Sequence, residues 1–157
     1  MKKIYHLPST IYHRGFTLIE LLVAISIIGV LSSFLLANFV GVRQRARDGV
    51  RKSDLRQIQS ALELYRSDKG SYLPSTTLTC GCALTSGGVD CTAAPSGTPY
   101  MKKIPCDPSS GGPYVYDSPS GNTTYSIFTC LENGNDGQKD PTDVCGGTPV
   151  SYTLQNP

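Results

Sequence analysis

Residues 16–42 form a 27-residue apolar run with one charged side chain, Glu20, and the run begins directly after Arg14-Gly15. At ~1.5 Å per residue it makes a helix of roughly 40 Å, long enough to cross a bilayer core. A charge held in hydrocarbon costs on the order of 1–3 kcal/mol, so a carboxylate one turn from the start of such a helix needs a partner. A positive amine is the obvious one, and it would appear if the chain were cut between Gly15 and Phe16. A secretory signal fits less well, because its apolar core is about half this length and its small-residue cleavage site lies on the far side. Here the far end, residues 36–40, reads Leu-Ala-Asn-Phe-Val. A plain membrane anchor explains the length and leaves Glu20 idle.

The segment Gly15-Phe16-Thr17-Leu18-Ile19-Glu20-Leu21-Leu22-Val23-Ala24-Ile25 resembles the class III signal of type IV pilins and type II secretion pseudopilins. The resemblance implies that a prepilin peptidase cuts after Gly15 and N-methylates the new terminal residue, Phe16. It implies further that Glu20 pairs with the terminal amine of a neighbouring subunit during assembly. Ala37 stands where many members of that family carry a helix-kinking Pro. The implied partners are copies of this chain or homologous pilins through the N-terminal helix, the peptidase, an inner-membrane assembly platform, and membrane lipid before assembly. The implied location is a single-pass inner-membrane precursor with an extracytoplasmic head, leading to a surface pilus or a periplasmic pseudopilus.

Charge and cysteine placement agree with an exported subunit. Residues 1–15 contain Lys2, Lys3 and Arg14 and no acid, as a segment retained in the cytoplasm should. Arg43, Arg45 and Arg47 make the other flank basic as well, so charge alone leaves the orientation open. All six cysteines, Cys80, Cys82, Cys91, Cys106, Cys130 and Cys145, lie beyond the apolar run, which suits a domain in an oxidising compartment. The whole chain has 14 basic and 12 acidic residues. Loss of the leader removes three of the basic ones and leaves a net charge near −1. From residue 75 onward three Lys face seven Asp or Glu, which argues against a general nucleic-acid binder, since that binding rests on neutralising phosphates.

The expected class is α+β, in three parts: a leader (1–15), a helix (16–69) and a globular head (70–157). Within the helix, 16–42 is the membrane or filament core and 43–69 is amphipathic. Val50, Leu55, Ile58, Leu62 and Tyr65 supply the apolar stripe of that second half, with Arg51, Lys52, Arg56, Glu63 and Arg66 on the other faces. Gly70 and Pro74 mark the stop. Gly29, Ser33, Ala37 and Gly41, each four apart, place small residues on one helix face, where another backbone can approach closely. Ordinary membrane-helix composition gives the same spacing. Strands are expected at 113–117, 123–130 and 149–154, with Tyr125 and Ile127 on one face and Phe128 on the other. Residues 75–99 show almost no periodicity and are expected to form a long loop tied down by Cys80, Cys82 and Cys91. The result is a helical stalk with a small antiparallel sheet laid on its distal half.

The head carries a second resemblance to major pseudopilins and related pilins. It rests on Ile104-Pro105-Cys106-Asp107-Pro108, Pro113-Tyr114-Val115-Tyr116, Tyr125-Ser126-Ile127 and Leu131-Glu132-Asn133-Gly134. Six cysteines are expected to make three disulfides, with fifteen connectivities open. A Cys130–Cys145 bridge would close a C-terminal loop, and Cys106 would bond back toward residues 80–91. Zinc is the rival, but it favours C-x-x-C knuckles or His ligands, and only Cys80-Gly81-Cys82 stands here. Asp136, Asp140 and Asp143 are candidate calcium ligands in the loop 134–147, a region where type II secretion major pseudopilins bind calcium. The alternative is an acidic surface turn.

Both histidines, His6 and His13, lie in the leader, so a processed chain would have none. With no G-x-S-x-G, P-loop or G-x-G-x-x-G pattern, and with all cysteines paired, no catalytic constellation is expected. A filament subunit with no resident cofactor is the expected function. A membrane-tethered binding module that does not polymerise is the alternative.

Overall fold

The computed structural model describes residues 15–75, 78–119, 121–147 and 149–157. Residues 1–14 of the expected leader, 1–15, lie outside the described residues, and with them Lys2, Lys3, His6, His13 and Arg14. One helix, α1, spans Leu18–Lys69. Among the described residues six strands follow: β1 (Ala83–Thr85), β2 (Gly88–Asp90), β3 (Pro99–Met101), β4 (Val115–Asp117), β5 (Ser126–Leu131) and β6 (Val150–Gln155). The chain is α+β and divides into two compact units between Phe39 and Val40.

In the N-terminal unit the sequence is long and apolar enough over Leu18–Leu35 to cross a membrane, with a mean hydropathy of 2.4. Its large side chains have no core to enter. Leu18, Phe34 and Leu35 are each at least 70% exposed, and Leu21, Ile25, Ile28 and Leu31 about 60%. A helix apolar on every face is stable only when lipid or other helices surround it.

The C-terminal unit has its own core. Leu55, Ile58 and Leu62 of α1 pack with Ile127 and Leu131 of β5, Val150 and Tyr152 of β6, and Leu84 of β1. Tyrosines fill the rest: Tyr72, Tyr114, Tyr116 and Tyr125 are all buried. The Tyr72 and Tyr125 rings meet edge to face at 4.6 Å. The helix ends where expected, at Gly70, whose φ of 76° is a left-handed cap conformation and whose N–H donates to the Arg66 carbonyl.

The main sheet is antiparallel in the order β4-β5-β6, with Val115 opposite Phe128 and Phe128 opposite Thr153. Ile127 and Leu131 of β5 are buried while Phe128 is only half-buried, as alternation on a one-sided sheet requires. The expected long loop at 75–99 is in part a second sheet, ordered β2-β1-β3. The hairpin of β1 and β2 turns through Ser86 and Gly87, and β3 adds on the other side of β1. Three-residue strands are too short to show a period, so the sequence pattern carries no sign of them.

One expectation about the helix surface is corrected. Val50 is 47% exposed, while Asp48, Arg51 and Asp54 are buried. Stepping back seven residues, two helical turns, from Leu55 and Ile58 leads to Asp48 and Arg51, whereas Val50 lies about 100° round the axis from Arg51. The buried face therefore changes from apolar to ionic at its N-terminal end.

Candidate functional site

Gly15 and Phe16 precede the first turn of α1, and both are exposed. Thr17 and Glu20 bind each other reciprocally. The Thr17 N–H and hydroxyl each donate to Glu20 Oε2 at 2.8 Å, and the Glu20 N–H donates to Thr17 Oγ1 at 3.2 Å. This is a capping box, in which residues three apart satisfy N–H groups that the start of a helix leaves unpaired. The carboxylate also lies in the first turn, where the helix dipole favours negative charge. Glu20 thus has a partner in its own chain, in addition to the neighbour's amine expected from the sequence. The signal was present as Thr-x-x-Glu ahead of an apolar run. Both bonds to the carboxylate use Oε2; among the described residues Oε1 accepts none.

Of the small-residue stripe, a Cβ placed on Gly29 or Gly41 would meet nothing within 4 Å. The Ser33 hydroxyl donates to the Val30 carbonyl at 2.7 Å, which removes its need for a polar partner on a neighbouring helix. The Ala37 side chain lies outside those described. At Gly29 and Gly41 the helix surface therefore has room for a close-approaching backbone among the described residues.

In the C-terminal unit, an ionic cluster joins α1 to the loops on either side of β4 and β5. Arg51, 4% exposed, donates from Nε to Asp107 Oδ2 at 2.6 Å, from Nη1 to Asp48 Oδ1 at 2.8 Å and from Nη2 to Ser109 Oγ at 2.8 Å. Glu132 receives Arg47 through both of its oxygens and lies 3.0 Å from Arg51 Nη1. Asp48 also accepts the backbone N–H groups of Glu132 and Asn133, at 2.9 and 2.8 Å. Every charge that leaves water here is met by an opposite charge or a directed hydrogen bond, the condition under which buried ions are tolerated.

The titration behaviour follows from these contacts. Burial pushes the Asp107 carboxyl up, but hydrogen bonds from Arg51 and from the Ser110 and Ser109 amides outweigh it and hold the group at about 2. The Arg47 hydrogen bond holds Glu132 at about 2 against burial, with Ser109 and Arg51 assisting. Tyr114 donates to Asp54 Oδ2 at 2.7 Å, and burial followed by that bond pushes its hydroxyl far above the usual range.

The six cysteines pair as Cys80–Cys106, Cys82–Cys91 and Cys130–Cys145. The first ties the start of the second sheet to the segment before β4, the second closes the β1–β2 hairpin, and the third closes the C-terminal loop. The three aspartates of that loop turn to separate partners. Asp136 pairs with Lys52, Asp140 accepts the N–H and hydroxyl of Thr153, and Asp143 accepts the N–H groups of Cys145, Gly147 and Ser151. Among the described residues no three His, Cys, Asp or Glu side chains converge as a metal-binding group.

Comparison with known proteins adds a second line of observation. Residues 38–146 match the family model for type II secretion system protein G, and residues 12–36 match that for the prokaryotic N-terminal methylation motif. The chain is 32% identical to the type II secretion system core protein G of Escherichia coli, over 81% of this chain and 87% of the relative. It is 30% identical to that of Pseudomonas aeruginosa, over 80% and 88%. It is 31% identical to that of Dickeya chrysanthemi, over 91% of each. No solved structure matches at a significant level.

Proposed function

Since the chain belongs to the type II secretion system protein G family, we propose that it is a structural subunit of a pilus-like secretion filament, stored in the inner membrane as a precursor and cut after Gly15. The observation that carries this reading is the likeness over both parts of the chain, the methylation motif at 12–36 and the protein G match at 38–146. The surface of α1 supports it. Over Leu18–Leu35 the helix is apolar on every side and exposed, so it must pass from lipid into a packing of like helices without meeting water.

The site residues then take the following roles. A prepilin peptidase recognises Gly15, cuts and methylates Phe16, and the new ammonium reaches Glu20 of another copy. Thr17 holds one carboxylate oxygen of Glu20, leaving Oε1 for that ammonium. The capping box covers the charge in the membrane, and the neighbour's amine adds to it on assembly. Gly29, Ser33, Ala37 and Gly41 line the face where helices meet. The partners are further copies or homologous pilin-like subunits, together with the inner-membrane assembly platform. Before assembly the C-terminal unit faces the periplasm, where the filament forms. A tethered binding module that does not polymerise would use the same anchor, but it gives no use to the cleavage motif.

Shearing cells that overproduce the chain tests the reading. The wild type is expected in the sheared fraction as polymer, and Glu20→Ala is expected to be processed and to remain in the membrane. A wild-type chain found only as membrane-bound monomer overturns polymerisation.

A further inference from the structure

The loop 134–147 is the part of the C-terminal unit with the most carboxylates and the least regular structure, so something must hold it. Calcium would need six to eight oxygens converging at about 2.3–2.6 Å. Here the oxygens converge on hydrogen-bond donors instead. Asp143 Oδ1 accepts the Cys145 N–H at 2.9 Å and the Ser151 N–H at 3.0 Å, and its Oδ2 accepts the Gly147 N–H. Asp140 Oδ1 accepts the Thr153 N–H at 3.1 Å, and Oδ2 accepts the Thr153 hydroxyl at 2.7 Å. These positive donor ends stand where a cation bound to the same oxygens would be, and they would repel it.

The cation that the loop does hold belongs to the chain. Lys52 Nζ lies 2.5 Å from Asp136 Oδ1 and 3.2 Å from Gln138 Oε1, and 5.5 Å over the Tyr152 ring. The Lys52 and Asp136 side chains are only 15% and 16% exposed. The ammonium therefore joins α1, the loop and β6 at one point. A lysine has one charge and needs one carboxylate, which matches the single acid turned to it; a divalent ion would need several. Lys139 adds a bond to the Gly134 carbonyl at 2.9 Å, and the Cys130–Cys145 bridge closes the loop covalently.

We propose that the Lys52 ammonium and the Cys130–Cys145 disulfide order this C-terminal loop in place of a divalent cation, so the C-terminal unit folds and persists without calcium. The proposal concerns that unit alone and holds whether or not the chain polymerises.

The test uses the full chain in detergent. Calcium is titrated into the wild type by calorimetry, and thermal unfolding and limited proteolysis of the loop are followed in millimolar calcium and in EGTA. The wild type is expected to show no saturable heat, one unfolding midpoint in both conditions, and the same cleavage rate in both. Lys52→Met is expected to be cut in the loop roughly tenfold faster in either condition, and Lys52→Arg to restore most of the protection. Stoichiometric calcium binding by the wild type, or a midpoint that falls on chelation, overturns the proposal. Wild-type cleavage of Lys52→Met removes the lysine from it. If Lys52→Met fails to fold, the wild-type titration still decides the calcium question.

Discussion

Arg51 donates from Nε to Asp107 at 2.6 Å across 56 residues of sequence, from the buried face of α1 to the segment just ahead of β4. The pair fixes where the loop before the main sheet sits on the helix, and Ser109 extends it by accepting from Arg51 and donating to Glu132 at 2.9 Å.

Arg51→Met is therefore expected to be strongly destabilising, by about 3 kcal/mol, because it leaves the buried Asp48 and the mostly buried Asp107 without their shared cation. Denaturant unfolding of the full chain in detergent measures it. Lys103→Met, at an exposed position, serves as the control and is expected to change stability by about 0.5 kcal/mol or less.

The same cluster sets an acid limit. Asp107 and Glu132 sit at about 2 when folded, against ordinary values of 3.8 and 4.5. Below their unfolded values the unfolded chain binds more protons than the folded one, so stability falls as pH drops from about 4.5 toward 2 and is fully present above that window. The unfolding midpoint is expected to be level between pH 5 and 7 as far as these two groups govern it, and Glu132→Gln is expected to flatten the acid decline.

Removal of the Cys130–Cys145 bridge by paired Cys→Ser substitution opens a closure of 15 residues. The expected loss is about 3 kcal/mol, together with faster proteolysis within 134–147. The main sheet is expected to survive, because β5 and β6 keep their full register from Ser126–Gln155 to Leu131–Val150.

Gly15→Ala is expected to leave unprocessed precursor, since a methyl group then enters the peptidase's recognition position; normal-sized mature protein would remove that residue from recognition. Thr17→Val is expected to be processed normally but to lose the cap, at a cost of about 1 kcal/mol to the helix start. Faster amide exchange in the first turn of α1 would report it.

Much of this arrangement was legible because it rests on strong local patterns. The apolar run, the Gly70 stop and the alternation in β5 are periodic or punctuated signals that a single sequence displays. The ionic face of α1 was not legible. Arg51 looks like any solvated helix charge until Asp107 and Glu132 arrive from 56 and 81 residues away, and nothing local announces them. The second sheet was hidden for another reason: β1, β2 and β3 are three residues each and are secured by Cys82–Cys91 and Cys80–Cys106 rather than by an apolar repeat. For the loop aspartates, three acids in a turn fit a metal or a set of backbone caps equally well in sequence. The backbone and hydroxyl donors that meet Asp140 and Asp143 come into view only in the fold. The Thr17–Glu20 box, by contrast, is a local Thr-x-x-Glu pattern that the sequence displays outright.

The most direct test is the intact mass and N-terminal sequence of the chain recovered from native membranes and filaments. The account predicts a chain that starts at N-methylated Phe16, with the amine that Glu20 of a neighbour receives. A chain that retains residues 1–15 in the assembled material would contradict it, because no such amine would exist beside the carboxylate.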